Sequence, residues 1–161
     1  MTVESQYLGD ILLDGGPGGG AMEAVVTVDG QSLNVRLEID YPGRLSAAVV
    51  RDIDMVFDQF AFVDNLGRET VARGLAQEDS APARLRRAWE DARGGEGDAE
   101  EFLRDLAPQR IVITPDGGSA NRDRVVLSYA VAGSRVPGTV TVRFVEPTGP
   151  ELVPAPSRSF G

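Results

Sequence analysis

Hydrophobic and polar residues alternate with a period of two near both ends of this chain and with a helical period in its middle. Residues 33–40 alternate strictly, as in a strand with one buried face and one solvent-exposed face. An apolar run over 6–14 and a valine-rich run over 22–29 predict two further strands. Asp29-Gly30 between two of these strands predicts a two-residue hairpin turn. The buried positions of the alternating strand are Leu33, Val35, Leu37 and Ile39.

After Tyr41-Pro42-Gly43 the apolar residues fall on one face of a helix. This stripe consists of Leu45, Val49, Ile53, Val56, Phe57 and Phe60. Asn65-Leu66-Gly67 is expected to end or bend the helix, and a second helix is expected over 67–77. Phe62 falls off the main stripe, so it either packs under the second helix or contributes to a partner surface.

Two more helices are predicted before the chain returns to strands. Ser80 and Pro82 are typical of a helix start, and the buried stripe of this third helix is Leu85, Ala88, Trp89 and Ala92. Asp98 followed by Glu101 forms a capping-box-like pattern for a short helix. That helix should be stopped by Pro108.

The last third predicts strands over 110–114, 124–132 and 139–146, with a turn over 115–118. Residues 147–161 contain four prolines and little periodicity, which favours a loose tail after a single domain over 1–146. Three strands, three or four helices and three strands predict an α+β fold. We expect one mainly antiparallel sheet with the helices on one face. The other, wet face would carry Arg36, Glu38, Asp40 and Arg143.

Composition narrows the chemistry, because the chain has no histidine, no cysteine and no lysine. The usual general base, the thiolate nucleophile and the Schiff-base amine are therefore missing, as are the soft ligands of zinc and copper. A disulfide is impossible. Ser119, Ser128 and Ser134 lack a histidine or lysine base. We expect no catalytic residue, no metal and no cofactor.

The net charge is −9 and the isoelectric point is near 4.5. Nucleic acids and anionic membranes attract basic surfaces, so both are excluded as expected partners. Neither a signal peptide nor a membrane-spanning run is visible, and a cytoplasmic location is expected. An acidic surface fits a basic protein partner.

Acidic residues on two predicted helices are the candidate contacts with such a partner. They are Asp52, Asp54, Asp58, Glu100, Glu101 and Asp105. Asp54 and Asp58 are four residues apart and share a helix face. Oxygen ligands of this kind also suit hard cations, although neither 64–69 nor 96–101 has the spacing of a calcium loop.

Two further features have mainly structural interpretations. The glycine-rich run over 14–20 is expected to be a flexible loop, because a strand follows it and a phosphate loop usually carries a lysine before a helix. Trp89 shares a stripe with Leu85, so it is expected in the core.

The run LGDILLD, the hairpin, the acidic helix and the closing ITPDGG strands resemble a broad group of uncharacterised small bacterial α+β domains. Some members of that group are similar to immunity proteins that neutralise toxins. The resemblance covers most of 6–146, except for the glycine insert at 15–20 and the charged middle at 78–101. It implies a small cytoplasmic binding protein and transfers no functional residues.

Three functions follow as expectations. The first is a non-catalytic protein-binding module, immunity-like, that uses an acidic surface. The second is a carboxylate-dependent hydrolase or a divalent-cation-binding protein, and the third is a structural subunit that self-associates through a strand edge or its helices. The sequence does not determine the oligomeric state.

Overall fold

The computed structural model describes residues 3–14, 19–115, 124–133, 136–145 and 149–153. Its helices are α1 (Ala47–Asp58), α2 (Phe60–Gly74), α3 (Ala81–Arg93) and α4 (Ala99–Asp105), and a short 3-10 turn covers Pro42–Arg44. The strands are β1 (Glu4–Ser5), β2 (Gly9–Asp10), β3 (Gly20–Val28), β4 (Gln31–Ile39), β5 (Leu106–Ile113), β6 (Val125–Val131), β7 (Val140–Val145) and β8 (Gly149–Leu152).

Strands β3 to β8 form one six-stranded sheet in sequence order, and β1 and β2 form a separate two-stranded sheet. Every neighbouring pair in the larger sheet is antiparallel except β4 and β5, which are parallel. The four helices lie in the crossover between those two strands. The predicted α+β fold with a mainly antiparallel sheet is therefore confirmed, although its strands do not divide three and three.

The hairpin between β3 and β4 has the predicted turn. Asp29 and Gly30 have φ angles of 49° and 79°, which is the positive φ at both central residues that a type I′ turn requires. The predicted alternation in β4 is also confirmed, because Leu33, Val35, Leu37 and Ile39 are all buried.

The boundary between the first two helices differs from the prediction. Ser46 caps α1 by accepting a hydrogen bond from the Val49 amide, and α1 gives way to α2 at Gln59 rather than at 65–67. Gly67 lies inside α2 and is buried. Its role is close approach to β6, since a Cβ at this position would lie 2.3 Å from the Tyr129 hydroxyl.

The third helix begins where the sequence predicts. The Ser80 side chain accepts a hydrogen bond from the Ala83 amide and donates one to the Gly74 carbonyl. Leu85 and Trp89 are buried as predicted. Ala92 is exposed instead, because it lies in the last turn, beyond the part of α3 that packs on the core.

The start of β5 and the chain after 147 also differ from the prediction. Residues 106–108 already belong to β5, and the ladder with β6 shifts register between Pro108 and Arg110. A bulge of this kind tolerates a proline inside a strand. Residues 149–152, expected in a loose tail, pair with β7 as the edge strand β8.

The buried side chains of the helices and the alternate residues of β3–β7 form one core. The opposite sheet face carries ion pairs, as predicted for a wet face. Arg36 pairs with Glu23 and Glu38, and Arg143 pairs with Glu151 at 2.9 Å. Among the described residues, none of the helices has the length and apolar character needed to cross a bilayer.

Several predictions fall outside the described residues. They concern most of the glycine-rich run (15–18), the turn residues 116–118, Ser119, Ser134 and the end of the chain from 154.

Candidate binding site

A cleft of about 290 Å³ lies between the first two helices and one end of the sheet. Its helical wall carries Asp52, Met55, Val56, Gln59 and Val63, and its sheet wall carries Ile113, Pro115, Arg124, Val125 and Phe144. Concave, mainly apolar clefts with a few polar groups are the usual form of a binding site.

Helical periodicity builds the first wall. Asp52, Met55 or Val56, and the C-cap Gln59 follow one another at the i, i+3/i+4, i+7 spacing, so they lie along one face of α1 and its C-terminal end. Val63 continues this face four residues later, at the start of α2. The wall crosses the boundary between the two helices.

Sheet register builds the second wall. Ile113 of β5 is paired with Val125 of β6, and Val125 is paired with Phe144 of β7. These three side chains therefore form a single row across three strands, because directly opposed residues in antiparallel strands point to the same face. The row provides a continuous apolar floor.

Exposed apolar surface marks the helical side of the cleft. Met55, which lines the cleft, is 47% exposed, and Phe62 of α2, which is not among the lining residues, is 64% exposed. Of the two interpretations of Phe62, packing under the second helix is therefore excluded. Large exposed apolar side chains beside a cleft are typical of an interaction surface.

The charged residues of the cleft lie on opposite walls. Asp52 is exposed on α1, and Arg124 precedes β6, where its carbonyl accepts a hydrogen bond from the Thr114 amide at 2.8 Å. The cleft thus combines an apolar floor with one carboxylate and one guanidinium group.

Two of the other acidic candidates on α1 attach the N-terminal segment to the helix. Asp54 accepts hydrogen bonds from the Ser5 hydroxyl at 2.5 Å and from the Gln6 amide at 3.0 Å. Asp58 accepts a hydrogen bond from the Tyr7 hydroxyl, which raises the pKa of that tyrosine. These two carboxylates therefore have a structural role in the fold.

The three acidic candidates on α4 lie apart from those on α1, since α4 packs on α2 and β5 whereas α1 packs on β1 and α2. Asp105 accepts a hydrogen bond from the Trp89 indole at 2.8 Å, and Glu101 pairs with Arg93 at 2.9 Å. Glu100 is exposed. The structure does not bring the six residues into one site.

In the described part of the chain, no group of three or more acidic side chains is arranged to hold a metal ion. The apolar residues of the cleft were not among the contacts predicted from the sequence. Met55 could have indicated the cleft from the sequence, because it is a large apolar residue in α1 that does not belong to the buried stripe.

A second cluster that the sequence did not predict lies inside the fold. The Tyr129 hydroxyl donates to the Asp64 carboxylate at 2.8 Å, and Arg68 binds the same carboxylate at 3.1 Å. Burial raises the pKa of Tyr129 far above its ordinary value, with the Asp64 charge as the next cause. Because Tyr129 is fully buried, the cluster joins β6 to α2 and does not face a substrate.

Comparisons with protein-family models, with curated proteins and with solved structures find no match to this chain. The resemblance to immunity-like domains therefore stays a prediction.

Proposed function

We propose that this protein is a non-catalytic protein-binding module that holds an apolar and basic segment of its partner in the cleft between α1, α2 and the sheet. One observation carries the proposal. Met55 is a large apolar side chain that remains exposed beside an apolar floor and the carboxylate of Asp52. Interfaces commonly have this arrangement of apolar anchors near charged groups at the rim.

The lining favours recognition over chemistry. Methionine, valine and phenylalanine side chains supply contact area, and Met adapts well to the shape of a partner. In the described part of the cleft wall, Asp52 and Arg124 are the charged side chains.

Charge indicates the character of the partner. With a net charge of −9, the protein attracts basic segments and repels acidic ones. Among the six acidic residues predicted as contacts, we propose Asp52 as the one that acts in the cleft. The hydrogen bonds of Asp54, Asp58 and Asp105 are better explained by the fold. An immunity-like role remains one form of this proposal.

A displayed library of random peptides provides the test. The protein should enrich peptides with an apolar residue beside arginine or lysine. The dissociation constant of these peptides should rise about tenfold or more in M55S, because the apolar anchor is lost. It should rise several-fold in D52N, because the charge contact is lost.

The matched control is L12S, a change at an apolar side chain of 69% exposure outside the cleft lining, and this variant should bind the peptides like the unchanged protein. Salt should weaken binding, because the charge attraction is screened. Peptides that bind M55S and the unchanged protein equally, or a library that yields no binder, contradict the proposal.

A further inference from the structure

Among the described residues, no segment pairs with the outer edge of β3 along most of its length. β3 is an edge strand of the six-stranded sheet, and its nine residues pair with β4 without a register shift. Only its first part is covered, because Ala21 exchanges two backbone hydrogen bonds of 2.8 Å with Asp14. Beyond Ala21, no backbone hydrogen bond reaches this edge from any described residue.

The Ala21–Asp14 pair determines which groups face outward. Hydrogen-bonding direction alternates along an antiparallel strand, so the amides and carbonyls of Glu23, Val25 and Thr27 point away from β4, as those of Ala21 do. The side chains of these three residues are exposed as well. Both the backbone and the side chains of this edge are therefore available to a further strand.

Protein edges usually carry devices that prevent strand addition, such as lysine, proline, bulges or a covering segment. Between Met22 and Val28 the strand contains one charged residue, Glu23, and no proline or bulge. Val25 is 68% exposed at the centre of this stretch. An edge of this kind is a template for pairing.

We propose that a second copy of this chain pairs antiparallel with this edge, so that two sheets join across a two-fold axis at Val25. In this register Val25 lies opposite Val25 of the second copy, and Glu23 lies opposite Thr27. All three open residues then form hydrogen-bonded pairs, and Ala21 stays with Asp14. The arrangement is isologous, so it closes at a dimer.

Neighbouring registers are less favourable. Moving the axis to Glu23 places two glutamates opposite each other, and like charges at directly opposed positions are destabilising. Moving it to Ala24 requires the outward groups of Ala21, which Asp14 already occupies. Moving it to Val26 brings Glu23 opposite Asp29. The Val25 register avoids all three conflicts and creates a pair of β-branched residues.

The inner face of β3 is also self-complementary in the Val25 register. Met22 and Ala24 are half-buried, and Val26 and Val28 are buried against the core. The Val25 register places Met22 opposite Val28 and Ala24 opposite Val26. The apolar layer under each sheet would therefore continue across the axis. This inference concerns a different surface from the cleft and does not depend on the proposed function.

Sedimentation of purified protein across an about hundredfold concentration range tests the dimer, since its population follows mass action. The unchanged protein should convert reversibly from monomer to dimer. V25K and V25E should each raise the dimer dissociation constant at least about tenfold, because like charges then face each other at the axis. An equal mixture of V25K and V25E should form a heterodimer, because the charges are then opposite.

The control is N34K on β4, which adds the same charge beside Val25 but not on the open edge. It should dimerise like the unchanged protein, and circular dichroism should show all variants folded. A strictly monomeric protein, a V25K variant that dimerises normally, or a V25K and V25E mixture that stays monomeric would each overturn the inference.

Discussion

Tyr129 is fully buried, and its hydroxyl reaches α2 because residue 67 is a glycine. A Cβ at this position would lie 2.3 Å from the hydroxyl oxygen and 3.2 Å from the ring carbon that bears it. G67A should therefore lower the free energy of unfolding by about 2 kcal/mol, as overpacking does. This loss should exceed the helix propensity gained by replacing glycine with alanine, about 1 kcal/mol.

A double-mutant cycle measured by urea unfolding checks this explanation. Y129F alone should cost about 1 kcal/mol, because it removes the hydrogen bond to Asp64. The double variant should be at least about 1 kcal/mol more stable than additivity predicts, since the shortest contact, with the hydroxyl oxygen, is removed. G43A is the control, because nothing lies within 4 Å of its Cβ. Additive losses would show that the close contact does not constrain the fold.

The same tyrosine makes stability depend on alkaline pH. Its folded pKa is raised above the ordinary value of 10.0, chiefly by burial and then by the charge of Asp64. Above pH 10 the unfolded chain loses this proton while the folded protein keeps it. Stability should therefore fall by up to about 1.4 kcal/mol per pH unit. In Y129F this contribution should vanish, which unfolding curves at several alkaline pH values can measure.

The role of Gly67 was not predictable from its neighbours. Glycine after Asn65-Leu66 is typical of a helix end, whereas here it permits contact with a residue distant in sequence. Such contacts depend on the tertiary arrangement. By contrast, the positive φ angles at Asp29 and Gly30 depend on local turn chemistry, and the sequence predicted them.

At the scale of elements, α1 separates acidic residues that support the fold from one that faces the cleft. Asp54 binds Ser5, which is 1% exposed, and the Gln6 amide. D54A should lower the free energy of unfolding by about 1–2 kcal/mol, because it leaves a buried hydroxyl without its acceptor. It should also speed hydrogen exchange in β1 and β2. D52A should change stability by less than about 0.5 kcal/mol.

Comparing these two variants by thermal unfolding and hydrogen exchange bears on the function. Equal stability of D54A and D52A would mean that Asp54 is free to serve a partner, as the sequence first suggested. The hydrogen bonds of Asp54 could not be predicted, because its partners Ser5 and Gln6 lie in and directly after a strand of two residues that has no periodicity of its own.

Element types were predictable wherever the local pattern was strong. The alternation of β4 and the serine at the start of α3 both gave correct elements. The predicted element boundaries were wrong where tertiary packing determines them. Examples are Gln59 between α1 and α2 and Pro108 inside β5. The cleft depends on those boundaries and on strand register. The sequence could therefore indicate Met55 but not the row from Ile113 to Phe144.

At the scale of the whole molecule, β8 extends the sheet into a segment that its prolines predicted to be loose. Leu152 pairs with Val142 and packs against α2 so closely that a Cβ on Gly74 would lie 2.4 Å from its side chain. The strand therefore helps to fasten α2 to the sheet. An edge strand that contains Pro150 is compatible with pairing, because the proline can face away from the ladder.

If β8 belongs to the cooperative fold, shortening Leu152 must affect the whole domain. L152A should lower the free energy of unfolding by about 1.5 kcal/mol, as for a half-buried leucine. L12A is the matched control, because Leu12 is 69% exposed and its truncation should change stability by less than about 0.5 kcal/mol.

Urea unfolding followed by Trp89 fluorescence, a probe on α3, reports the global transition. If the urea midpoint of L152A equals that of L12A, residues 149–152 do not contribute to the cooperative fold and behave as the predicted loose tail. A shift of the whole transition would instead show that β8 stabilises the helical layer and, with it, the cleft that α2 lines.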